Sequence, residues 1–154
     1  MILLKSALHN VGVVMVGVGL AFLGRMVDSL FGLSAIAFTF ASGVALLLLG
    51  LGFLLRVWAT CHFHAHGMRV ISLQPQTALI TSGPYRYSRN PLYLGGNVFV
   101  FFGAALLLGS PTALVVTALH LPLMDRFIRR EEEQLERKFG DEWQSYKQRV
   151  RRWL

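Results

Sequence analysis

The sequence predicts an all-α integral membrane protein, with about four transmembrane helices followed by cytoplasmic C-terminal helices, on three observations. Of its 154 residues, 54% are hydrophobic and only 15% charged, against about 25% charged in an ordinary soluble domain. The charges are segregated: none falls between Ser29 and Leu55, and none between Asn90 and Met124. Uncharged stretches of that length read as membrane spans rather than buried core helices. The basic residues flank apolar runs, which is the positive-inside pattern, so the net charge of +7 points to lipid headgroups and not to nucleic acid. The length suits one domain, 1–154.

Span one is expected at about 8–26. Its uncharged run, Ser6 to Gly24, is longer than the apolar core of a secretory signal, and no A-x-A cleavage site follows, so it reads as a retained helix. Span two is expected at about 34–55. The third apolar block, Leu92 to Met124, would extend about 50 Å as one straight helix, more than a hydrocarbon core of about 30 Å. Gly109-Ser110-Pro111 supplies a turn in its middle, giving span three at about 92–108 and span four at about 112–127.

Four spans put both termini on one side. The connection 56–91 carries Arg56, Arg69, Arg86 and Arg89 and no acid, and residues 125–154 carry nine Lys/Arg against seven Asp/Glu. The expected turns at Gly24–Leu33 and Gly109–Pro111 carry almost nothing. The bias places the loop 56–91, the C-terminal helices 128–154 and both termini in the cytoplasm. A chain with no additional spans or retention signals suits a bacterial plasma membrane. Glycines inside the spans (Gly17, Gly43, Gly52, Gly95, Gly96 and Gly103 among them) suit close helix packing, within the chain or between copies. Cys61 is the sole cysteine, which excludes an intramolecular disulfide and a Cys-based zinc site.

No Asp, Glu, Lys or Arg is expected mid-membrane. This argues against a proton-coupled exporter and moves chemistry to the cytoplasmic face. The first candidate is Ser82 to Gly95. Gly83-Pro84 signals a turn, and Asn90-Pro91 reads as an N-cap followed by proline at the first helical position. That helix start, beside Arg89, suits an anion. Tyr85, Tyr87, Tyr93, Arg86 and Arg89 crowd the same stretch, more than an interfacial anchor needs.

The second candidate is a helix from Asp125 to Phe139, stopped by Gly140. Glu131 and Glu132 fall within its apolar stripe of Phe127, Ile128, Leu135 and Phe139, so each needs an ion pair (with Arg86 or Arg89) or a ligand. Glu133, four residues from Arg129 and from Arg137, reads as a solvated pair-former. A last helix begins at Asp141, with Trp143, Tyr146 and Val150 as its apolar face and Arg149 beside them. Arg151, Arg152 and Trp153 are expected among lipid headgroups. His62, His64 and His66 have no acid or second cysteine nearby to complete a metal site, so an interfacial loop is expected there and no metal.

The run TSGPYRYSRNPLYLGG, a hydrophobic hairpin, and then EEEQLERKFGDEWQSYKQRV together resemble the isoprenylcysteine carboxyl methyltransferase family. Phospholipid methyltransferases look related through the same core. The likeness covers about Leu79 to Val150. It implies a membrane-embedded methyltransferase that uses S-adenosylmethionine, held from the cytoplasmic side, and a lipophilic acceptor such as a prenylcysteine-like carboxylate or a lipid. It fits the absence of any Gly-rich loop at a strand end. Carried over, the cofactor-binding residues are Gly83, Tyr85, Pro91, Tyr93 and Glu131, with Leu79 and Ile80 through their backbone. Arg89 and Glu132 are the expected catalytic residues, and Arg126 and Arg149 match basic positions that would bind substrate. Asn90, counted with the cofactor set, stands where the family has His. It keeps a hydrogen-bonding side chain but cannot titrate near neutral pH.

In such a site Glu131 or Glu132 would take the cofactor's ammonium or ribose, and Arg89 with the helix start would take a carboxylate. An amine acceptor would have to give a proton to one of the two Glu residues. The rival readings are a non-enzymatic membrane scaffold or small transporter, which would have no affinity for S-adenosylmethionine, and an NADPH-dependent membrane reductase, against which the few spans count.

Overall fold

The computed structural model describes residues 1–36, 38–68 and 76–154, and the side chains of 38–41 fall outside the description. Arg69 of the basic connection and Ala37 at the entry to span two lie outside the described residues. The elements are α1 (Ile2–Leu30), α2 (Phe38–Ala65), a 3₁₀ turn (Gly83–Arg86), α3 (Pro91–Leu107) and α4 (Pro111–Arg149). No strand occurs among the described residues.

The inward residues of α1 are Ser6, Asn10, Gly17, Ala21, Gly24 and Asp28, whose spacings of three, four and seven make one helical face. Small and polar side chains take the inside. Leu3, Leu8, Met15, Phe22 and Leu23 point outward, each more than half exposed. In water this would be a large bare apolar surface; in lipid it is ordinary, because helices there associate through small residues and hydrogen bonds. Both α1 and Ser42–Ala65 of α2 are long and apolar enough to cross a bilayer. The chain is a membrane protein.

Helix α2 packs against α1 and α3, and α4 closes against α1 and α3. The α2–α3 crossing is a backbone contact: a Cβ at Gly52 would stand 2.6 Å from the Gly95 carbonyl oxygen. Around that contact, Leu94–Val100 of α3 winds as a π-helix, a form that concentrates at functional sites.

Span one was expected to end at Met26, with a turn over Gly24–Leu33. Instead α1 runs to Leu30, and the turn falls at Gly32, whose φ is 67°. Asp28 is the reason. Its carboxylate accepts from the Ser110 hydroxyl (2.5 Å) and the Thr112 backbone N–H (3.0 Å), so the end of α1 caps the start of α4. Ser110 is itself the N-cap of α4, accepting from the Ala113 N–H at 3.0 Å. The predicted Gly109–Pro111 turn is present, with Gly109 at φ 57° and its carbonyl accepting from the Ile36 N–H at 3.0 Å.

At the opposite end, span two does not stop at Leu55. The helix continues through Arg56 to Ala65 because neighbours satisfy the guanidinium: Nε donates to Asn10 Oδ1 (2.8 Å) and Nη1 to the Leu92 carbonyl (2.7 Å). Arg56 is therefore a buried charge inside the bundle, where none was expected. His62 and His64 likewise sit on this helix rather than in a loop, with His64 Nδ1 2.8 Å from the Ser6 hydroxyl.

Span four and the acidic helix are one piece. From Ser110 to Glu132, α4 rises about 33 Å and carries the chain from the Asp28 end to the Arg56 end. Gly140 (φ 50°, ψ −120°) breaks it, a conformation open to glycine, and the segment 141–149 turns back. Ile128, Trp143 and Tyr146 are buried as their pattern predicts, but Phe127 is 61% exposed and faces outward.

Candidate active site

At the Arg56 end the helices open into a cavity of about 880 Å³. Its inner part is lined by His9 and Val13 of α1, Arg56 of α2, and Tyr93 and Asn97 of α3. One wall is the loop carrying Leu79, Ile80 and Tyr85; the other is α4, with Glu131, Glu132, Leu135 and Lys138. Trp143 and Tyr146, folded back by the Gly140 break, complete it.

The loop is held in place locally. Gly83 adopts φ 60°, and a Cβ there would stand 2.2 Å from the His62 ring, so the turn presses on α2. Tyr85 packs on Phe63, ring centroids 5.9 Å apart, and its carbonyl accepts from the Tyr146 hydroxyl at 2.8 Å. Lys138 donates to the Gln76 carbonyl at 2.5 Å. Asn90 occupies the N-cap position, but its side chain makes no cap. It donates instead to the Arg152 carbonyl at 3.3 Å.

The electrostatic centre is Glu132, 7% exposed. Arg89 Nη2 lies 3.3 Å from its Oε1, which is the ion pair expected for it. Arg152, expected among headgroups, turns inward: Nη2 donates to Glu132 Oε2 (2.6 Å), Nε to Oε1 (3.2 Å) and Nη1 to Asp125 (3.3 Å). The tail is also sewn down through its backbone, the Arg89 N–H donating to the Arg151 carbonyl at 3.0 Å. The guanidinium of Arg89 lies over the Trp143 ring at 5.6 Å.

Glu131 stands in contrast. It keeps surface open to the cavity mouth yet is walled by protein. Burial pushes its carboxyl above the ordinary value of 4.5, partly offset by a hydrogen bond from the Tyr93 hydroxyl. Burial also drives the Tyr85 and Tyr146 phenols well above the ordinary 10, so both are neutral hydroxyls. Among the described residues, Arg89 Nε and Nη1, the Tyr85 hydroxyl and Trp143 Nε1 are buried polar atoms with no partner. A buried donor left unpaired costs about 1–3 kcal/mol. Several around one cavity mark the place where a ligand's acceptors belong.

Of the residues singled out in the sequence, Leu79, Ile80, Tyr85, Arg89, Asn90, Pro91, Tyr93, Glu131 and Glu132 all line this cavity. Gly83 shapes the turn beneath it. Arg126 and Arg149 are exposed and line no part of it. Glu133 is solvated and 4.0 Å from Arg137, whereas Arg129 pairs with Asp125 at 2.7 Å. The sequence reading missed His9, Arg56, Asn97 and Lys138, along with Arg152. His9 and Arg56 lie at places where a span was expected to begin or end, and a tail arginine beside Arg151 carries no spacing signal.

The family model for Phospholipid methyltransferase (PEMT) matches residues 38–142, well over half of the chain and including nearly every wall of the cavity. The chain belongs to the phospholipid methyltransferase family. It is also similar to an uncharacterized protein of Haemophilus influenzae, 41% identical over 58 residues, which is 37% of this chain and 92% of that protein. No solved structure matches it. Family membership makes the chain a membrane methyltransferase in general terms. Trp143, Tyr146 and Arg152 lie beyond the matched stretch, and all three shape the site.

Proposed function

We propose that this protein transfers a methyl group from S-adenosylmethionine to a lipophilic acceptor, within the cavity at the Arg56 end of the bundle. The observation that carries the reading is the ring of unpaired buried donors (Arg89 Nε and Nη1, Tyr85 Oη, Trp143 Nε1) facing a carboxylate, Glu131. S-adenosylmethionine supplies an electrophilic methyl on a sulfonium, together with a carboxylate, an ammonium, ribose hydroxyls and a purine. Arg89, already oriented by Glu132 and Trp143, would hold the carboxylate, and Glu131 the ammonium or ribose. Trp143 Nε1 can only donate, which suits a hydroxyl oxygen or a ring nitrogen, and the Tyr85 hydroxyl can donate to such an atom or accept from a ribose hydroxyl.

The chain's work is then positioning and electrostatics. Apolar walls from Phe63, Ile80 and Leu135 keep water from the charges and strengthen each contact. Glu132 is locked between two arginines and is a positioning residue for Arg89. Glu131, with its raised affinity for a proton, is the group placed to take one from an amine acceptor. The volume of about 880 Å³ lies in the upper part of the range of ligand pockets, roughly 300–1,000 Å³, and leaves room for an acceptor beside the cofactor.

We read the chain as a single domain of four spans, with α3 and the first half of α4 completing the pair formed by α1 and α2. Two features support this: α4 reaches from one end of α1 to the other, and both termini lie at the cavity end. Arg86, Arg89, Lys138 and the basic tail gather there while the opposite end holds only Arg25 and Asp28, so the cavity faces the cytoplasm.

The test is calorimetric titration of detergent-solubilised protein with S-adenosylhomocysteine, beside Tyr85→Phe and Glu131→Gln. Wild type should bind in roughly the micromolar to sub-millimolar range, where enzyme–substrate affinities lie. Tyr85→Phe should weaken binding about 3- to 10-fold, the worth of one hydrogen bond, with no loss of thermal stability because the hydroxyl has no partner to lose. A folded wild-type sample that binds nothing would refute the reading.

A further inference from the structure

Arg56 is 8% exposed, and its guanidinium donates to two neutral oxygens, Asn10 Oδ1 and the Leu92 carbonyl. Among the described residues no carboxylate pairs with it, and the stretch 69–75 contains no Asp or Glu. Every other buried ionic group described has a counter-charge: Glu132 has Arg89 and Arg152, and Asp28 has Arg25 at 3.8 Å. A buried cation in a bundle normally finds an anion or marks a site that receives one.

The position is also built. A Cβ at Gly96 would stand 2.7 Å from Arg56 Nη1, so α3 gives up a side chain to make room for the guanidinium. His9, next to the Asn10 that holds Arg56, lines the same inner part of the cavity, and its Nε2 is buried without a partner. Three cationic side chains (Arg56, Arg89, Lys138) face two carboxylates (Glu131, Glu132) around the cavity. A sulfonium cofactor that also carries an ammonium and a carboxylate would add one further positive charge.

We propose that Arg56 and His9 form a subsite for an anionic group, carboxylate or phosphate, on the methyl acceptor. The word acceptor rests on the methyl-transfer reading, whereas the preference for an anion rests on the geometry alone. Arg56 supplies charge and His9 Nε2 a second hydrogen-bonding atom. The subsite lies between spanning helices, so an acyl chain attached to that anion extends into the bilayer while its head lies in the cavity.

The test titrates the full chain, in dodecyl maltoside micelles and without any cofactor, with dodecyl phosphate, dodecanoate and the uncharged dodecanol. At least one anion should bind about tenfold or more tightly than dodecanol, and which of the two does so tells phosphate from carboxylate. His9→Leu and Arg56→Lys should each reduce that preference several-fold while S-adenosylhomocysteine still binds. Should Arg56→Lys fail to fold, His9→Leu decides. Equal binding of all three probes, or an anion preference untouched by His9→Leu, overturns the subsite. Anion selectivity without any S-adenosylhomocysteine binding would refute the methyl-transfer reading and leave the subsite standing.

Discussion

The two ends of the helix bundle solve the same problem in opposite ways. At the Asp28 end, each polar group named above has a partner: the carboxylate caps α4 through Ser110 and Thr112, and the Ile36 N–H reaches the Gly109 carbonyl. At the Arg56 end, buried donors of Arg89, Tyr85 and Trp143 go unpaired, and a cavity opens among them. Burial of polar groups is costly at both ends. Where the partners come from the chain the result is architecture, and where they are missing the result is a site.

The largest effect should come from breaking the one salt-bridge cluster that joins architecture to site. Glu132→Ala strands the Arg89 guanidinium, whose side chain is 8% exposed, and leaves Arg152 with Asp125 alone. Removing one partner of a buried pair costs about 3–5 kcal/mol. Both the melting temperature and S-adenosylhomocysteine affinity should fall together, and a variant that loses neither would dissolve the cluster's role. Next, Asp28→Asn should lower the melting temperature by several degrees through the lost charged cap and leave ligand affinity unchanged. Weakened binding there would mean that the two ends are not separable.

The smallest effect is a proton. Glu131 has a folded-state carboxyl raised above its ordinary 4.5, so the folded protein holds more protons than the unfolded chain just above that pH. Stability therefore falls as pH rises through that window. A cationic ammonium bound at Glu131 favours the carboxylate and expels the proton. Titration with S-adenosylhomocysteine near pH 5 should release protons, seen as a binding enthalpy that varies with the buffer's ionisation enthalpy. Release should vanish at pH 8 and in Glu131→Gln, and release surviving in that variant would assign the proton elsewhere.

Much of this was legible in the chain. The Gly109-Ser110-Pro111 turn, the Gly140 break, and the burial of Ile128, Trp143 and Tyr146 follow from local chemistry that tertiary contacts do not override. The line of residues from Leu79 to Tyr93 and the acidic pair did converge on one cavity. Where the helices run past their expected ends the cause is shared: in the sequence a charge reads as the end of an apolar helix. Arg56 directly follows the expected end of span two and Asp28 lies just past that of span one, yet each is buried on its helix and satisfied by residues far away in sequence, Asn10 and Leu92 for one and Ser110 and Thr112 for the other. Arg152 escaped notice for the converse reason, since its partner Glu132 lies across a chain reversal that only Gly140 announces.

The Asn10–Arg56 hydrogen bond also bears on how the chain enters the bilayer. It joins α1 to α2, which are made before α3 and α4, and it needs nothing from either of those. An α1–α2 hairpin therefore enters lipid with its cation already partly shielded, and α3 adds the Leu92 carbonyl afterwards. A guanidinium that is a hazard to a lone helix becomes, in the order of synthesis, the tie that lets the hairpin wait for the rest.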